Sequence, residues 1–276
     1  MAELGRYNTL RIIRRADIGL LLDGGEYGDV LLPRKYVLDS MQVGESIEVF
    51  LYNDSEDRIV ATTLKPRAQV GECAYLKVVG TSRHGAFLDW GLPKDLLVPH
   101  GEQQKPMHKG YSYTVYLYVD HATDRIAASS KLEKWLSLEA DGLKPRQPVK
   151  LLIYGKSDLG FKAVVDGTHL GQLYANEVFR PLHYGERVDG YIKQVRADGR
   201  IDLALQLPSR LERDVLGEAI IEHLRQNDGI STLTDKSPPE EIYRVFGVSK
   251  ANYKKALGRL YKERRILIEH RQITLL

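Results

Sequence analysis

The sequence predicts a mainly β chain with a C-terminal α+β module: three tandem five-stranded barrels, then a helix-turn-helix with a terminal hairpin. Three observations carry this expectation. Gly19, Gly85 and Gly160 are spaced by 66 and 75 residues, and Gly44, Gly110 and Gly185 repeat the same two intervals. Arg58, Arg125 and Arg200 keep step at 67 and 75. Between these landmarks polar and apolar residues alternate with the period of strands, and beyond Pro208 apolar residues recur with the period of a helix.

Each repeat contains an alternating segment, SIEVFLY (46–52), SYTVYLYV (112–119) or RVDGYIKQV (187–195), rich in Val, Ile and Tyr. It breaks at a polar turn and resumes at Arg-Ile. Upstream, Gly19 to Pro33 reads as strand, glycine turn at Asp23-Gly24-Gly25, and strand; the second repeat offers GAFLDWG (85–91) and then DLLVP (95–99). Five short antiparallel strands in so short a stretch must hide their edges, and closure into a barrel does so. The expected boundaries are 1–66, 67–137 and 149–208. A linker at 138–148, with Asp141-Gly142 and two prolines, is expected to let the two halves move.

Residues 209–276 follow a different grammar. Leu211, Val215, Leu216, Ile220 and Leu224 form a helical stripe that ends near Gly229. Pro238-Pro239-Glu240-Glu241 starts a second helix, with acids at the positive end of its dipole, Ile242, Val245 and Phe246 as its apolar face, and Gly247 in the turn. Ser249 caps a third helix that buries Tyr253, Ala256, Leu257 and Leu260. Arg265–Glu269 and Gln272–Leu276 read as a hairpin, completing a winged helix-turn-helix.

Composition narrows the function. At 43% hydrophobic and 28% charged residues the chain has the balance of a folded protein. No apolar run reaches the roughly 18 residues of a transmembrane helix, and MAELGRYNTLRIIRR lacks the apolar core of a secretory signal. One cysteine, Cys73, allows no internal disulfide and is expected as a buried small residue, so a cytoplasmic location is expected. The glycine-rich DGGEYG (23–28) is not followed by Gly-Lys-Ser/Thr, no Gly-x-Ser-x-Gly elbow occurs, and the eight histidines include no i, i+4 pair. No catalytic residue, metal site, cofactor or membrane partner is therefore expected. Asp54 and Arg58 are expected to stabilise a turn. The net charge of +3 is uneven: residues 1–66 hold 8 basic and 11 acidic residues, residues 209–276 hold 13 and 10. A cationic C-terminal end suits a polyanion.

SRHGAFLDWG (82–91) followed by DLLVPHGE (95–102) resembles the RNA-binding domain of the ribosomal-protein-S1 type, an OB-type barrel. DLGFKAVVDGTHLGQLYANEVF (158–179) with YGERVDGYIKQVRADGRIDLAL (184–205) is similar to the third barrel of the bacterial conserved virulence factor B family, which joins three S1-like barrels to a C-terminal winged helix. The resemblance spans essentially the whole chain. It implies a cytoplasmic RNA-binding protein that affects gene expression, without catalytic chemistry. Barrels of this type carry two aromatics three residues apart, a histidine further on and an arginine on the last strand. In the second barrel His84 and Phe87 hold the aromatic positions and Arg125 the arginine; Pro99 takes the histidine position, with His100 beside it. The corresponding residues are Ile18, Leu21 and Pro33 in the first barrel, which implies a structural or protein-contact role there, and Leu159, Lys162 and Tyr174 in the third.

Single-stranded RNA offers base faces for stacking and a phosphate at every step, so a binding barrel needs flat side chains with cations beside them. His84 and Phe87 supply these in the second barrel; the alternative places Phe87 in the interior and His84 in a solvated turn. In the third barrel Tyr191, Lys193 and Val195 are expected on one strand face and Ile192, Gln194 and Arg196 on the other, with Arg200 across the turn and Lys162 and Tyr174 on neighbouring strands. A solvated basic hairpin is the alternative. On the third helix Lys250, Lys254, Lys255, Arg259, Lys262, Arg264 and Arg265 face one acid, Glu263. These cations either meet phosphates or simply form a solvated face. The expected function is that of a non-catalytic, post-transcriptional regulator binding single-stranded RNA. The alternatives are a transcriptional regulator gripping duplex DNA by its winged helix, and a scaffold docking on the ribosome or on RNA-processing proteins.

Overall fold

In the computed structural model, which describes residues 1–178, 180–206, 210–269 and 271–276 and the side chains of all of these except 210–214, each repeat closes into a five-stranded barrel. The first barrel holds β1 (Tyr7–Ala16), β2 (Gly19–Asp23), β3 (Asp29–Pro33), β4 (Ser46–Asn53) and β5 (Ile59–Thr62). The second holds β6 (Cys73–Ser82), β7 (Gly85–Asp89), β8 (Leu96–Pro99), β9 (Ser112–Asp120) and β10 (Arg125–Ser129). The third holds β11 (Pro148–Ser157), β12 (Gly160–Val165), β13 (His169–Tyr174), β14 (Arg187–Val195) and β15 (Ile201–Ala204). In all three the first strand pairs antiparallel with the second and the fourth, while the third pairs parallel with the fifth. Cys73 is buried, as expected.

The repeated landmarks have a common mechanical origin. Gly19, Gly85 and Gly160 have φ of 152°, 154° and 140°. A Cβ there would lie 2.0, 2.1 and 2.3 Å from the carbonyl oxygens of Leu32, Val98 and Leu173, so only glycine lets the second and third strands approach. The first strand of each barrel is bulged between Ile12 and Arg14, Val78 and Gly80, and Ile153 and Gly155. The second set of glycines serves that bulge: the amides of Gly44, Gly110 and Gly185 donate to the carbonyls of Ile12, Val78 and Ile153 at 2.8–2.9 Å. The Arg-Ile landmarks follow left-handed turn residues, Asp57, Asp124 and Gly199.

The chain divides into two compact units, Met1–Trp135 and Leu136–Leu276. In the first unit one apolar core runs through both barrels. Phe50 of the first barrel meets Trp90 of the second edge-on at 5.8 Å, and the Val70 amide donates to Gly5 across the junction. In the second unit the third barrel has its own core around Leu151, Ile153, Leu173 and Ile192. Residues 138–148, expected as a mobile linker, are fastened to this barrel. The Ala140 amide donates to Gly199, the Arg146 amide donates to Ile192, and Ala140 and Leu143 pack on the core.

The winged helix comprises α1 (Arg210–Gln226), β16 (Ile230–Ser231), α2 (Pro239–Phe246), α3 (Lys250–Lys262), β17 (Ile266–Ile268) and β18 (Ile273–Leu275). Gly247 ends α2 in the left-handed conformation, and the Ser249 hydroxyl accepts from the Asn252 amide to start α3. The core gathers Leu216, Ile220, Ile221, Leu224, Ile242, Tyr253, Ala256, Leu257 and Leu260. Two expected core residues are exposed. Val215 sits one step round α1 from the Leu216–Ile220–Leu224 stripe, and Val245 is turned out because Phe246 takes the inward position, stacked on Tyr253 at 5.1 Å. Leu211 and the Pro208 boundary lie outside the described side chains. Among the described residues no helix is long and apolar enough to cross a membrane.

Gly85→Ala is expected to lower the stability of the first unit by about 2–3 kcal/mol, because the new methyl group must displace backbone. Gly101→Ala, where a Cβ would meet nothing within 4 Å, is expected to change it by under about 0.5 kcal/mol. Urea unfolding of both variants checks this.

Candidate nucleic-acid interface

The residue two beyond each close-approach glycine faces outward, since its neighbours turn into the core. Paired residues carry the row on across the barrel. In the first barrel it reads Leu21, Leu31, Val60, Tyr52; in the second Phe87, Leu97, Ala127, Tyr118; in the third Lys162, Gln172, Asp202, Gln194. One scaffold thus presents an aliphatic, an aromatic and a polar face. In the first barrel Leu31, Val60 and Tyr52 line a cleft of about 290 Å³ that Pro93 and Lys94 of the second barrel border. Asp54 braces the turn beneath, accepting from the Arg58 guanidinium at 2.7 and 2.9 Å.

On the second barrel Phe87 is half-buried on the outer side of β7, paired with Gly80 and Leu97. His84 is exposed in the β6–β7 turn, accepting from Arg83 Nε at 3.1 Å. His100 Nε2 lies 3.1 Å from the carbonyl of Ser82 at the end of β6, and the His100 amide donates to the His84 carbonyl at 3.4 Å. Arg125 is otherwise engaged. Its Nη2 lies 2.6 Å from Asp57 of the first barrel, whose other oxygen accepts from Lys94 at 2.6 Å. Lys94 and, more weakly, Arg125 hold the Asp57 carboxyl below the usual range. At the far end of the row Trp135 stacks on Tyr118 and Tyr116 at 4.4 and 5.1 Å. Burial, with Glu102 and Asp120 nearby, pushes the Tyr118 hydroxyl up to about 12.

The third barrel's cations are mostly paired. A bulge between Ile192 and Gln194 changes the expected faces of β14. Ile192 and Val195 both pack on the core, so Val195 does not share a face with Tyr191 and Lys193, and Gln194 does not share one with Ile192. Lys193 donates to the buried Glu177 at 2.7 Å. Asp202, only 4% exposed, accepts from Gln194 Nε2 and Arg196 Nε, both at 2.7 Å. The Arg196 guanidinium also lies over the Tyr174 ring, 5.7 Å from its centroid. Arg200, exposed, is 3.8 Å from Asp198. Tyr191 is half-buried between inward Gly190 and Ile192, and Lys162 has no ion pair among the described residues.

The buried face of α3 leaves its basic residues outside, but the helix ends at Lys262, so Arg264 and Arg265, expected on it, follow in the turn, where Arg264 has a left-handed φ of 55°. Arg265 is bound through both Nη atoms by Glu218 of α1, Arg259 Nε lies 3.1 Å from Glu263, and Lys254 is 3.8 Å from Asp235. Lys250, Lys255, Lys262 and Arg264 have no ion pair among the described residues; the last three are exposed. Four of the seven cations therefore keep an uncompensated charge.

Asp202, Glu177 and Trp135 escaped the reading of the sequence. For Asp202 a signal existed: Arg-Ile is followed by Val60 and Ala127 in the first two repeats but by aspartate in the third. Trp135 had none, because its partners are set by a fold-back of the chain.

The S1 domain family matches residues 4–64 and 70–131, the first two barrels, and the CvfB-like winged helix domain family matches residues 218–275. A protein called conserved virulence factor B in Staphylococcus aureus (strain bovine RF122 / ET3-1) is 32% identical over 86% of this chain and 81% of its own length. The chain belongs to the conserved virulence factor B family. Another member, from Staphylococcus saprophyticus, is 30% identical over 86% of the chain, and the protein YitL of Bacillus subtilis (strain 168) is 28% identical over 96% of the chain and 91% of its own length. A solved multidomain protein with nucleic acid binding domains from Streptococcus pneumoniae covers 99% of the chain and 98% of its own, with 24% identity and a TM-score of 0.42. The first two barrels of this family member are S1 domains, and its C-terminal module is a CvfB-like winged helix domain.

The Asp57 bridge has a pH signature. A carboxylate whose pKa is depressed on folding adds stability above its unfolded pKa and loses it as pH falls through the folded value. Asp57→Asn is expected to lower the melting temperature of the first unit near pH 7, with the gap to the parent closing below the usual carboxylate range. Arg125→Ala is expected to act in the same direction and more weakly, as for an exposed ion pair. Thermal melts across pH check both.

Proposed function

We infer that the chain is a non-catalytic, cytoplasmic RNA-binding protein that regulates gene expression after transcription, binding single-stranded RNA through its second and third barrels and its winged helix. The observation that carries this reading is the uncompensated cationic surface of Lys250, Lys255 and Lys262 on α3 with Arg264 just beyond its end, in a chain that also bears S1-type barrels. An A-form major groove is too deep and narrow to admit a helix, so these cations meet phosphates of unpaired strands. The half-buried Phe87, at the aromatic position of the S1-type pattern, adds a surface on which a base stacks for about 1–3 kcal/mol. The first barrel, with its aliphatic row, serves as structural support.

Competition between labelled single-stranded RNA and unlabelled duplex DNA tests the reading: RNA is expected to bind more tightly, and equal or better displacement by the duplex favours a transcriptional regulator. Failure to bind any RNA at about 50 mM salt, where phosphate contacts are strong, favours a scaffold. Replacing Lys250, Lys255 and Lys262 by Glu is expected to weaken binding and to flatten the log–log salt dependence by about 0.7 for each phosphate no longer neutralised. Phe87→Ala is expected to cost roughly tenfold in affinity with an unchanged salt slope, since stacking releases no counterions.

A further inference from the structure

The polar row of the third barrel is built around a buried charge. Asp202 lies on the outer side of a strand yet is 4% exposed, because Gln194 and Arg196 cover it, each donating to a different oxygen at 2.7 Å. Both carboxylate oxygens are thus engaged, and Asp202 serves to orient its neighbour. Arg196 is held twice, by Nε on Asp202 and by the Tyr174 ring 5.7 Å from its guanidinium carbon. Its two terminal Nη groups make no hydrogen bond among the described residues. The side chain remains about a third exposed, at 30%. The two Nη groups form a pair of parallel donors whose charge is already balanced by Asp202.

Such a fork matches two ligand features, a phosphate or a base edge with two adjacent acceptors. The compensating carboxylate removes most of the long-range attraction for a phosphate but leaves the donor geometry intact. A base bound edge-on lies in the plane of the guanidinium, with the Tyr174 ring bordering it, where a purine has the larger surface to cover. Guanine presents O6 and N7 together, whereas adenine places an amino donor beside N7 and would oppose one of the Nη groups. Lys162, two strands away in the same row and so about 10 Å from Asp202, lies at a distance that suits the neighbouring phosphate. We propose that the third barrel selects guanine in single-stranded RNA, with Arg196 as the base-reading residue and Asp202 and Tyr174 as the residues that position it. The proposal rests on the reading of the chain as an RNA-binding protein.

The test uses the full chain and fluorescently labelled oligouridine carrying one central guanosine, inosine, 7-deazaguanosine, adenosine or cytidine. Guanosine and inosine, which share O6 and N7, are expected to bind alike, and adenosine and 7-deazaguanosine about tenfold more weakly, the scale of one bidentate base contact. R196K keeps the charge and loses the fork; it is expected to abolish the guanosine preference, read as the ratio of guanosine to adenosine affinities. Equal binding of guanosine and 7-deazaguanosine, a preference for cytidine, or an R196K loss shared equally by all oligonucleotides with a shallower salt slope would overturn the proposal. Binding without any preference defeats this proposal alone; absence of binding by every oligonucleotide defeats the RNA-binding reading as well.

Discussion

A main-chain contact that tolerates no side chain organises all three barrels. At Gly19, Gly85 and Gly160 the second strand runs so near the third that a Cβ would overlap a carbonyl oxygen. That approach sets the strand pairing that closes each barrel and, by simple alternation, the outward direction of the residue two positions later. Leu21, Phe87 and Lys162 therefore occupy one geometric position with three different chemistries. The three repeats thus differ in what the scaffold displays, while glycine holds the scaffold itself constant.

Several of the cations beside the candidate faces are devoted to internal order. Arg125 and Lys94 share Asp57, Lys193 satisfies Glu177, Arg196 and Gln194 enclose Asp202, and Glu218 holds Arg265. A count of basic residues would assign all of these to phosphates. Neutralised cations contribute little to counterion release, so on the proposed reading the non-specific attraction comes from unpaired cations such as Lys162 and those on the outer face of α3. Where a cation is both neutralised and rigid, as Arg196 is, its contribution shifts from attraction to discrimination.

Much of the architecture was legible in the order of residues. The fixed glycine intervals announced three equivalent barrels, and each interval corresponds to a physical necessity: the close approach, the amide that serves the bulge, and the left-handed turn before Arg-Ile. The capping serine, the proline start of α2 and the buried stripe of α3 were equally readable, because each is a local rule. What escaped was non-local. A single bulge at Lys193 reversed the expected faces beyond it, Val245 lost its place to Phe246, and the partners of Arg125 and Arg196 come from a different barrel and a different strand. Alternation foretells which side a residue faces only until a strand slips, and it cannot say which counter-charge is waiting there.

The seamless packing of Phe50 against Trp90 makes the first two barrels one body despite their separate sheets. Neither can be excised without baring an apolar wound on the other. Genetic truncation of the first barrel would therefore unsettle the second as well. On the proposed reading, the module that touches no RNA is the foundation on which its neighbour's aromatic surface stands.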